Sequence, residues 1–361
     1  MTNKRIQNLR NYMKAEGLDA LLIGSEANRK YLSGFTGSNA MLYISLKKLI
    51  LVTDFRYLEQ VAKEAPYFTC VDQGQKGLLA TTVACAEEEG VKRIGFEAQH
   101  TTYSNYLELS RHEAFEWVPT TKSVELLRQI KDEQELEKLR KAEAIGDLAF
   151  QEVIPFIEAN WKRGLTENEI TLHLEQSMRR HGASGLSFSA IVAAGAKSSL
   201  CHAQPGEEKL QAGDFVVMDF GCIYEGYCSD MTRTIVIGEA SEKHLRIYET
   251  VLRAQKAALA AIRPGMKGSE VDAVARNIIK EAGYGEYFGH GLGHSVGIEI
   301  HENPRFSVAE MQEIKPGMVL TVEPGIYLPG FGGVRIEDMV VVTETGIENF
   351  THSPKDLIII K

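Results

Sequence analysis

Two hydrophobic periods alternate along the first third of the chain. From residue 4 to 16, Ile6, Leu9 and Met13 recur at helical spacing. Short β-rich apolar runs occupy 20–23, 41–45, 49–53, 93–96 and 115–118, and helical patterns occupy 55–63, 78–89 and 103–109. That alternation predicts a small α/β domain. The stretch 130–157 is charged on one face and apolar on the other, where Leu136, Leu139, Ala142, Ile145, Leu148 and Ala149 align, and it predicts one long amphipathic helix. A boundary near residue 125, just ahead of this helix, separates an N-terminal domain of residues 1–125 from a C-terminal domain of residues 126–361. The second domain carries helical patterns at 167–181, capped by Thr166, and at 242–262 and 269–282. Strand patterns stand between them at 216–218, 232–237, 318–322 and 334–343. Helices between hairpin-like strand pairs predict an α+β domain with a curved antiparallel sheet.

One strand breaks its own pattern. In VVMDFGCIYEGYCSDMTRTIVIG (216–238) the apolar run meets Asp219, turns through Tyr224, Glu225 and Gly226, and returns after Asp230. A hairpin centred between Tyr224 and Glu225 sets Asp219 opposite Asp230, where like charges repel. VLTVEPGIY (319–327) repeats the oddity, an apolar strand that ends in Glu323. In GGVRIEDMVVV (332–342), Arg335 and Glu337 alternate onto one face of a strand and Asp338 onto the other, where a structural role is expected. GHGLGHSVGIEIHENP (289–304) adds His290, His294, His301 and Glu302.

Taken singly, an acid at a strand end is a turn former, and a histidine in a glycine-rich loop is polar surface. Together they form a constellation. A buried carboxylate is costly unless it is paired or bound to metal, and Arg335 is the nearest candidate cation. A shared divalent ion turns the mutual repulsion into affinity. Oxygen ligands with one imidazole suit Mn, Co, Fe or Zn, and carboxylates able to bridge point to a two-metal centre.

Composition narrows the remaining classes. With 44% hydrophobic and 25% charged residues, the chain reads as soluble and globular. A net charge of −9 argues against nucleic acid or anionic membrane as the main partner. The N-terminus has no apolar signal region and no segment has the length of a membrane span, so a cytoplasmic location is expected. Five dispersed cysteines do not make a disulfide framework. Cys222 and Cys228 flank the hairpin turn without two further soft ligands, so they read as small packed residues rather than zinc ligands.

MDFGCIYEGYCSDMTRT, GHGLGHSVGIEIHENP, TVEPGIY and GGVRIEDMV, in this order, resemble the metallopeptidases of the pita-bread fold. That superfamily includes methionine aminopeptidase, Xaa-Pro aminopeptidase and Xaa-Pro dipeptidase (prolidase). The resemblance covers essentially the whole chain and implies a creatinase-like N-terminal domain ahead of the catalytic domain. It implies that Asp219 chelates one metal, that Asp230 and Glu337 bridge both, and that His294 and Glu323 bind the second. It implies that His202, in CHAQP (201–205), contacts the scissile region and that His290 and His301 stabilise the tetrahedral intermediate. Arg335 is implied to hydrogen-bond near the metals, and Glu323 to shuttle a proton. Two divalent ions are expected, manganese first, with cobalt or zinc as alternatives. The expected substrates are short peptides with proline in the second position, and the expected assembly is a homodimer.

Methionine aminopeptidases share the ligand pattern but usually lack the N-terminal domain. Creatinase lacks this metal set. A non-catalytic pita-bread binding module typically loses ligands, and this chain has lost none. The stretches YLSGFTGSNA (31–40) and VTDFRYLEQ (52–60) look most like the small bacterial Xaa-Pro aminopeptidases. A strict dipeptidase needs a cation for the product-side carboxylate, and the pattern assigns none. The expected activity is therefore Xaa-Pro aminopeptidase, with Xaa-Pro dipeptidase as the alternative.

Overall fold

The computed structural model describes residues 2–361, with side chains from Lys4 onward. The chain divides into two compact units, Met1–Arg128 and Gln129–Lys361. Among the described residues no helix is long and apolar enough to cross a membrane.

The first unit is built on strands β1 (Ala20–Ile23), β2 (Ala40–Ser45), β3 (Leu49–Thr53), β4 (Thr69–Asp72), β5 (Arg93–Glu97) and β6 (Glu116–Thr120), in the sheet order β4-β3-β2-β1-β5-β6. Strands β1 to β3 form an antiparallel meander, and β4, β5 and β6 join in parallel. The helix Thr2–Ala15 buries Ile6, Leu9 and Met13, as their spacing predicts. The helix Glu26–Ser33 has no such stripe to announce it. It buries Asn28 and Arg29, and Arg29 Nη1 donates to the carbonyls of Gly24 and Ala40 at 2.9 and 2.6 Å. Strand β4 is a partly exposed edge, which blurs its alternation.

The second unit opens with the helix Glu133–Asn160. Asp132 accepts from the Glu135 backbone N–H, and the Glu135 side chain accepts from that of Asp132. Its buried stripe runs through Leu139, Ala142, Gly146, Ala149 and Val153. That stripe turns position 148 to the opposite side, so Leu148 is 38% exposed rather than part of the apolar face. The helix Glu167–Arg180 packs beside it. Together they cover a sheet of β8 (Ile191–Ala194), β9 (Phe215–Phe220), β12 (Met231–Ile237) and β20 (Ile359–Ile360). Val216, Met218 and Phe220 pack among Ile145, Phe150, Ile170 and Leu174. The two-residue period of the strand leaves Asp219 on the other face.

A small sheet joins β7 (Gly185–Leu186), β10 (Cys222–Tyr224) and β11 (Tyr227–Cys228). A five-stranded sheet joins β13 (Gly293–Ser295), β14 (Glu302–Phe306), β15 (Val319–Val322), β18 (Asp338–Val342) and β19 (Ile347–Asn349), and a hairpin joins β16 (Gly325–Leu328) and β17 (Gly332–Arg335). The helices Glu242–Ala261 and Gly268–Glu281 cover this side. Ile247, Val251, Val271 and Ala275 pack on Leu320, Val322, Ile326 and Val340. The strand pairs are antiparallel except for the short β12–β20 edge.

Two details of the expected strands change. The hairpin turns on Glu225 and Gly226, both at positive φ, with Tyr224 paired to Tyr227. Asp219 therefore faces Thr232, and Asp230 lies diagonally across rather than directly opposite. The two-residue turn with left-handed backbone moved the centre by one residue. Likewise, 334–343 is not one strand. It breaks at Ile336 and Glu337 between β17 and β18, which belong to different sheets.

The β12–β18 join is held from inside by Arg233. This guanidinium is 1% exposed and donates to the carbonyls of Thr232, Glu337 and Ser353 at 2.9, 2.5 and 2.8 Å and to the Asp338 carboxylate at 2.8 Å. Asp338 also accepts from Asn349 and Lys355 at 2.7 and 2.5 Å, which makes it a structural acid. Removing one partner of a buried pair strands the other. Arg233→Ala is expected to lower stability by about 3–5 kcal/mol in urea unfolding, and a loss below about 1 kcal/mol would contradict this role.

Candidate metal centre

Asp219, Asp230, His294, Glu323 and Glu337, with His202, His290, His301 and Arg335, line one cavity of about 420 Å³ within the second unit. Each arrives by a simple local rule. Asp219 is on the face of β9 turned away from the helices. Asp230 immediately precedes β12 and Glu323 immediately follows β15. Thr321 and Glu323 share a face of that strand, opposite the packed Leu320 and Val322. His294 is in the middle of β13, and Glu337 is in the break between β17 and β18.

The donor atoms converge. Asp230, His294 and Glu337 each offer one ligand atom, all within 4.8 Å of one another. The His294 Nδ1 donates a hydrogen bond to the Ser295 carbonyl at 3.1 Å, which orients the ring with Nε2 toward the cavity. That nitrogen is 3.4 Å from Asp230 Oδ2 and 3.5 Å from Glu323 Oε1. Asp219 Oδ1 is buried without a hydrogen-bond partner. An imidazole nitrogen among carboxylate oxygens, beside an orphaned carboxylate oxygen, fits a divalent cation. Burial raises the proton affinity of Asp230 and Glu337 well above the ordinary carboxylate range, and neighbouring acids add to the effect. Glu323 is raised by burial too, against the pull of His294 and Arg335.

Arg335 organises the anions. Its Nη2 donates to Asp219 Oδ2 at 2.5 Å, its Nε to Thr232 Oγ1 at 3.0 Å and its Nη1 to the Tyr327 hydroxyl at 2.8 Å. The Thr232 hydroxyl in turn donates a hydrogen bond to Glu337 Oε2 at 2.6 Å. Tyr327 donates to His290 Nε2 at 3.0 Å, while His290 Nδ1–H donates to the Gly291 carbonyl at 2.8 Å. Both ring nitrogens of His290 are therefore engaged inside the protein. Burial, then Arg335, pushes its pKa down to about 4, so it is neutral. In this arrangement His290 is linked through Tyr327 to Arg335. His202 and His301 differ from it: neither ring makes a hydrogen bond among the described residues, and the His301 ring lies edge-on to His294, with centroids 4.4 Å apart.

Tyr327, Thr232 and Glu143 were not assigned from the sequence. Tyr327 stands in the quoted TVEPGIY, yet a tyrosine in a strand reads as packing. Glu143 had a signal: it falls on the buried stripe of its helix. Its carboxyl accepts from Thr351 Oγ1 at 2.5 Å and from the backbone N–H of Asp230 at 3.3 Å, and burial pushes its pKa up to about 8. Glu302 pairs with buried Lys131 at 3.2 Å and stays outside the cavity lining.

Residues 137–344 match the pattern of metallopeptidase family M24, and residues 5–130 match the creatinase/prolidase N-terminal domain. The chain belongs to metallopeptidase family M24. It is 44% identical over 357 residues to the uncharacterized peptidase YqhT of Bacillus subtilis, covering 99% of this chain and 100% of that one. Among solved structures, a Xaa-Pro dipeptidase from Bacillus anthracis is 43% identical with a TM-score of 0.94, covering 99% of this chain and 100% of that chain. An X-Pro aminopeptidase from Thermotoga maritima MSB8 is 37% identical with a TM-score of 0.89, covering 97% and 100%. The M24 peptidase is thus a metal-dependent hydrolase with a creatinase-type N-terminal domain and a pita-bread catalytic domain of antiparallel sheets.

Ion binding to this cluster must appear as folding stability. Manganese at about a hundred times its dissociation constant should stabilise chelator-treated M24 peptidase by about 2.7 kcal/mol, read from the urea midpoint. Glu337→Ala should lose that increment. An equal increment in both proteins would place the ion elsewhere.

Proposed function

We propose that this M24 peptidase hydrolyses the bond between an N-terminal residue and a following proline. The observation that carries the reading is the pairing, in one cavity, of converging metal donors with two unengaged imidazoles, His202 and His301. Asp219, Asp230, His294, Glu323 and Glu337 hold two divalent ions, with manganese favoured by the oxygen-rich donor set. When bound, the ions supply Lewis acidity and a water-derived nucleophile at neutral pH.

The chain's own groups do the rest. Arg335 and Thr232 hold Asp219 and Glu337 in place before substrate arrives, so those carboxylates need no rearrangement during the reaction. His301 is neutral, because burial and then its neighbours His294 and Arg305 lower its pKa to about 4. A neutral imidazole can donate a hydrogen bond to the carbonyl oxygen as negative charge builds there. His202 is free to serve the prolyl nitrogen, which has no N–H of its own. Glu323, held by Thr321 Oγ1 at 3.1 Å, is the carboxylate placed to move a proton between the attacking water and the leaving nitrogen.

Proline selectivity follows from the same chemistry. A peptidase that must hydrogen-bond the N–H of the second residue handles proline poorly, whereas a site that accepts the ring and protonates a tertiary nitrogen specialises on it. On chain length the reading is that of an aminopeptidase, with tripeptides and longer peptides accepted, and Xaa-Pro dipeptidase is the alternative.

Matched Xaa-Pro-Xaa and Xaa-Ala-Xaa peptides test the reading. The proline peptide should be cleaved with the higher kcat/KM, and equal turnover of the alanine peptide would contradict it. Asp219→Asn should abolish hydrolysis. His202→Ala and His301→Ala should each lower kcat by about 10²–10³ with metal content unchanged. Loss of an ion in either variant would make that histidine a ligand.

A further inference from the structure

His202 is exposed on the segment 195–205 that leaves β8, and among the described residues no hydrogen bond holds its ring. The aim of that ring is therefore set by the backbone beneath it. Ala203, the next residue, packs on Ile191 and Ala193 of β8. Near its start, Ser198 Oγ accepts from the Gly333 N–H at 2.9 Å, on the strand that carries Arg335. The two ends of the segment meet at one side chain, Glu167.

Glu167 is the first residue of the helix Glu167–Arg180 and is fully buried. Its Oε1 accepts from the backbone N–H of Ala194 at 2.8 Å, and its Oε2 from that of Gly206 at 3.0 Å. Oε2 also accepts from Lys197 Nζ at 2.7 Å, and Lys197 donates to Glu208 Oε2 at 2.9 Å. Two backbone bonds add to the join: the N–H groups of Glu167 and Asn168 donate to the carbonyls of Glu208 and Gly206 at 3.2 and 3.0 Å. The helix does not need the Glu167 side chain for its own start. Thr166 Oγ1 accepts from the Glu169 N–H at 3.3 Å, and the Glu169 carboxylate accepts from the Thr166 N–H at 2.9 Å. A buried carboxylate is costly without partners, and the three donors to this one lie in the segment that carries His202 or at its ends.

We propose that Glu167 is the positioning residue for His202. Its carboxylate clips residues 194 and 206 together and anchors Lys197 between them, so the His202 imidazole meets the substrate already ordered. The assignment rests on the reading of His202 given above. Placement counts in rate, since a displacement of about 1 Å near the reacting atoms can cost about 10²-fold. Glu167→Gln keeps the volume but turns one acceptor oxygen into an NH2 donor, which then faces a backbone N–H or Lys197. One tie of the segment is lost.

A double-mutant cycle tests this. Wild type, Glu167→Gln, His202→Ala and the double variant, all loaded with manganese, are compared on one Xaa-Pro peptide. Glu167→Gln should lower kcat by about 10- to 100-fold, with metal content unchanged and KM little altered. In the His202→Ala background the same substitution should cost less than about twofold. Lys197→Met, at a side chain that reaches solvent, should show the same dependence on His202 with a smaller loss. Equal losses in both backgrounds would make Glu167 a general stability element and overturn the assignment, as would an unchanged kcat in both Glu167→Gln and Lys197→Met. If Glu167→Gln does not fold, Lys197→Met carries the comparison, and unfolding of both also overturns it. A His202→Ala protein with wild-type kcat overturns instead the role given to His202, and this assignment with it.

Discussion

Four carboxylates forced into one cavity set the terms for everything around them. Asp219, Asp230, Glu323 and Glu337 are drawn out of water, and burial and mutual repulsion both raise the proton affinity of Asp230 and Glu337. One guanidinium, Arg335, and one hydroxyl, Thr232, tie down two of them. A metal ion bound among them would satisfy what remains. In that sense the binding free energy of the metals and the stability of the fold are one quantity.

The architecture delivers this cluster by repetition of a single device. A strand packs alternate residues on helices and turns the others inward. Val216, Met218 and Phe220 bury against the helices that follow residue 130, and Asp219 turns in. Leu320 and Val322 bury against the opposite helix pair, and Thr321 and Glu323 turn in. The acids thus stand on elements whose other face is packed core. This is why a substitution such as Asp219→Asn is expected to cost activity rather than the fold. The buried Arg233–Asp338 pair does the complementary work, fixing the strand that carries Thr232 to the strand that follows Glu337.

Legibility in the sequence followed the same physics. Asp219, Glu323 and Glu337 stood out because each interrupts an apolar run, and the histidines stood out by motif. Register did not. The left-handed Glu225–Gly226 turn moved the hairpin centre, and nothing in the alternation marks the break at Ile336–Glu337, since both halves are β-rich. Residues acting through a second side chain were hidden, because Tyr327 and Thr232 are ordinary strand residues by type. Leu148 shows the limit of a helical stripe read by spacing, since the stripe's centre is set by packing.

The central claim is that these carboxylates and His294 make a dinuclear metal site. Anomalous diffraction from crystals grown with manganese tests it most directly. The account predicts two peaks about 3.5–4 Å apart, enclosed by Asp219, Asp230, His294, Glu323 and Glu337. Manganese bound elsewhere, with no anomalous density among these five residues, would contradict it.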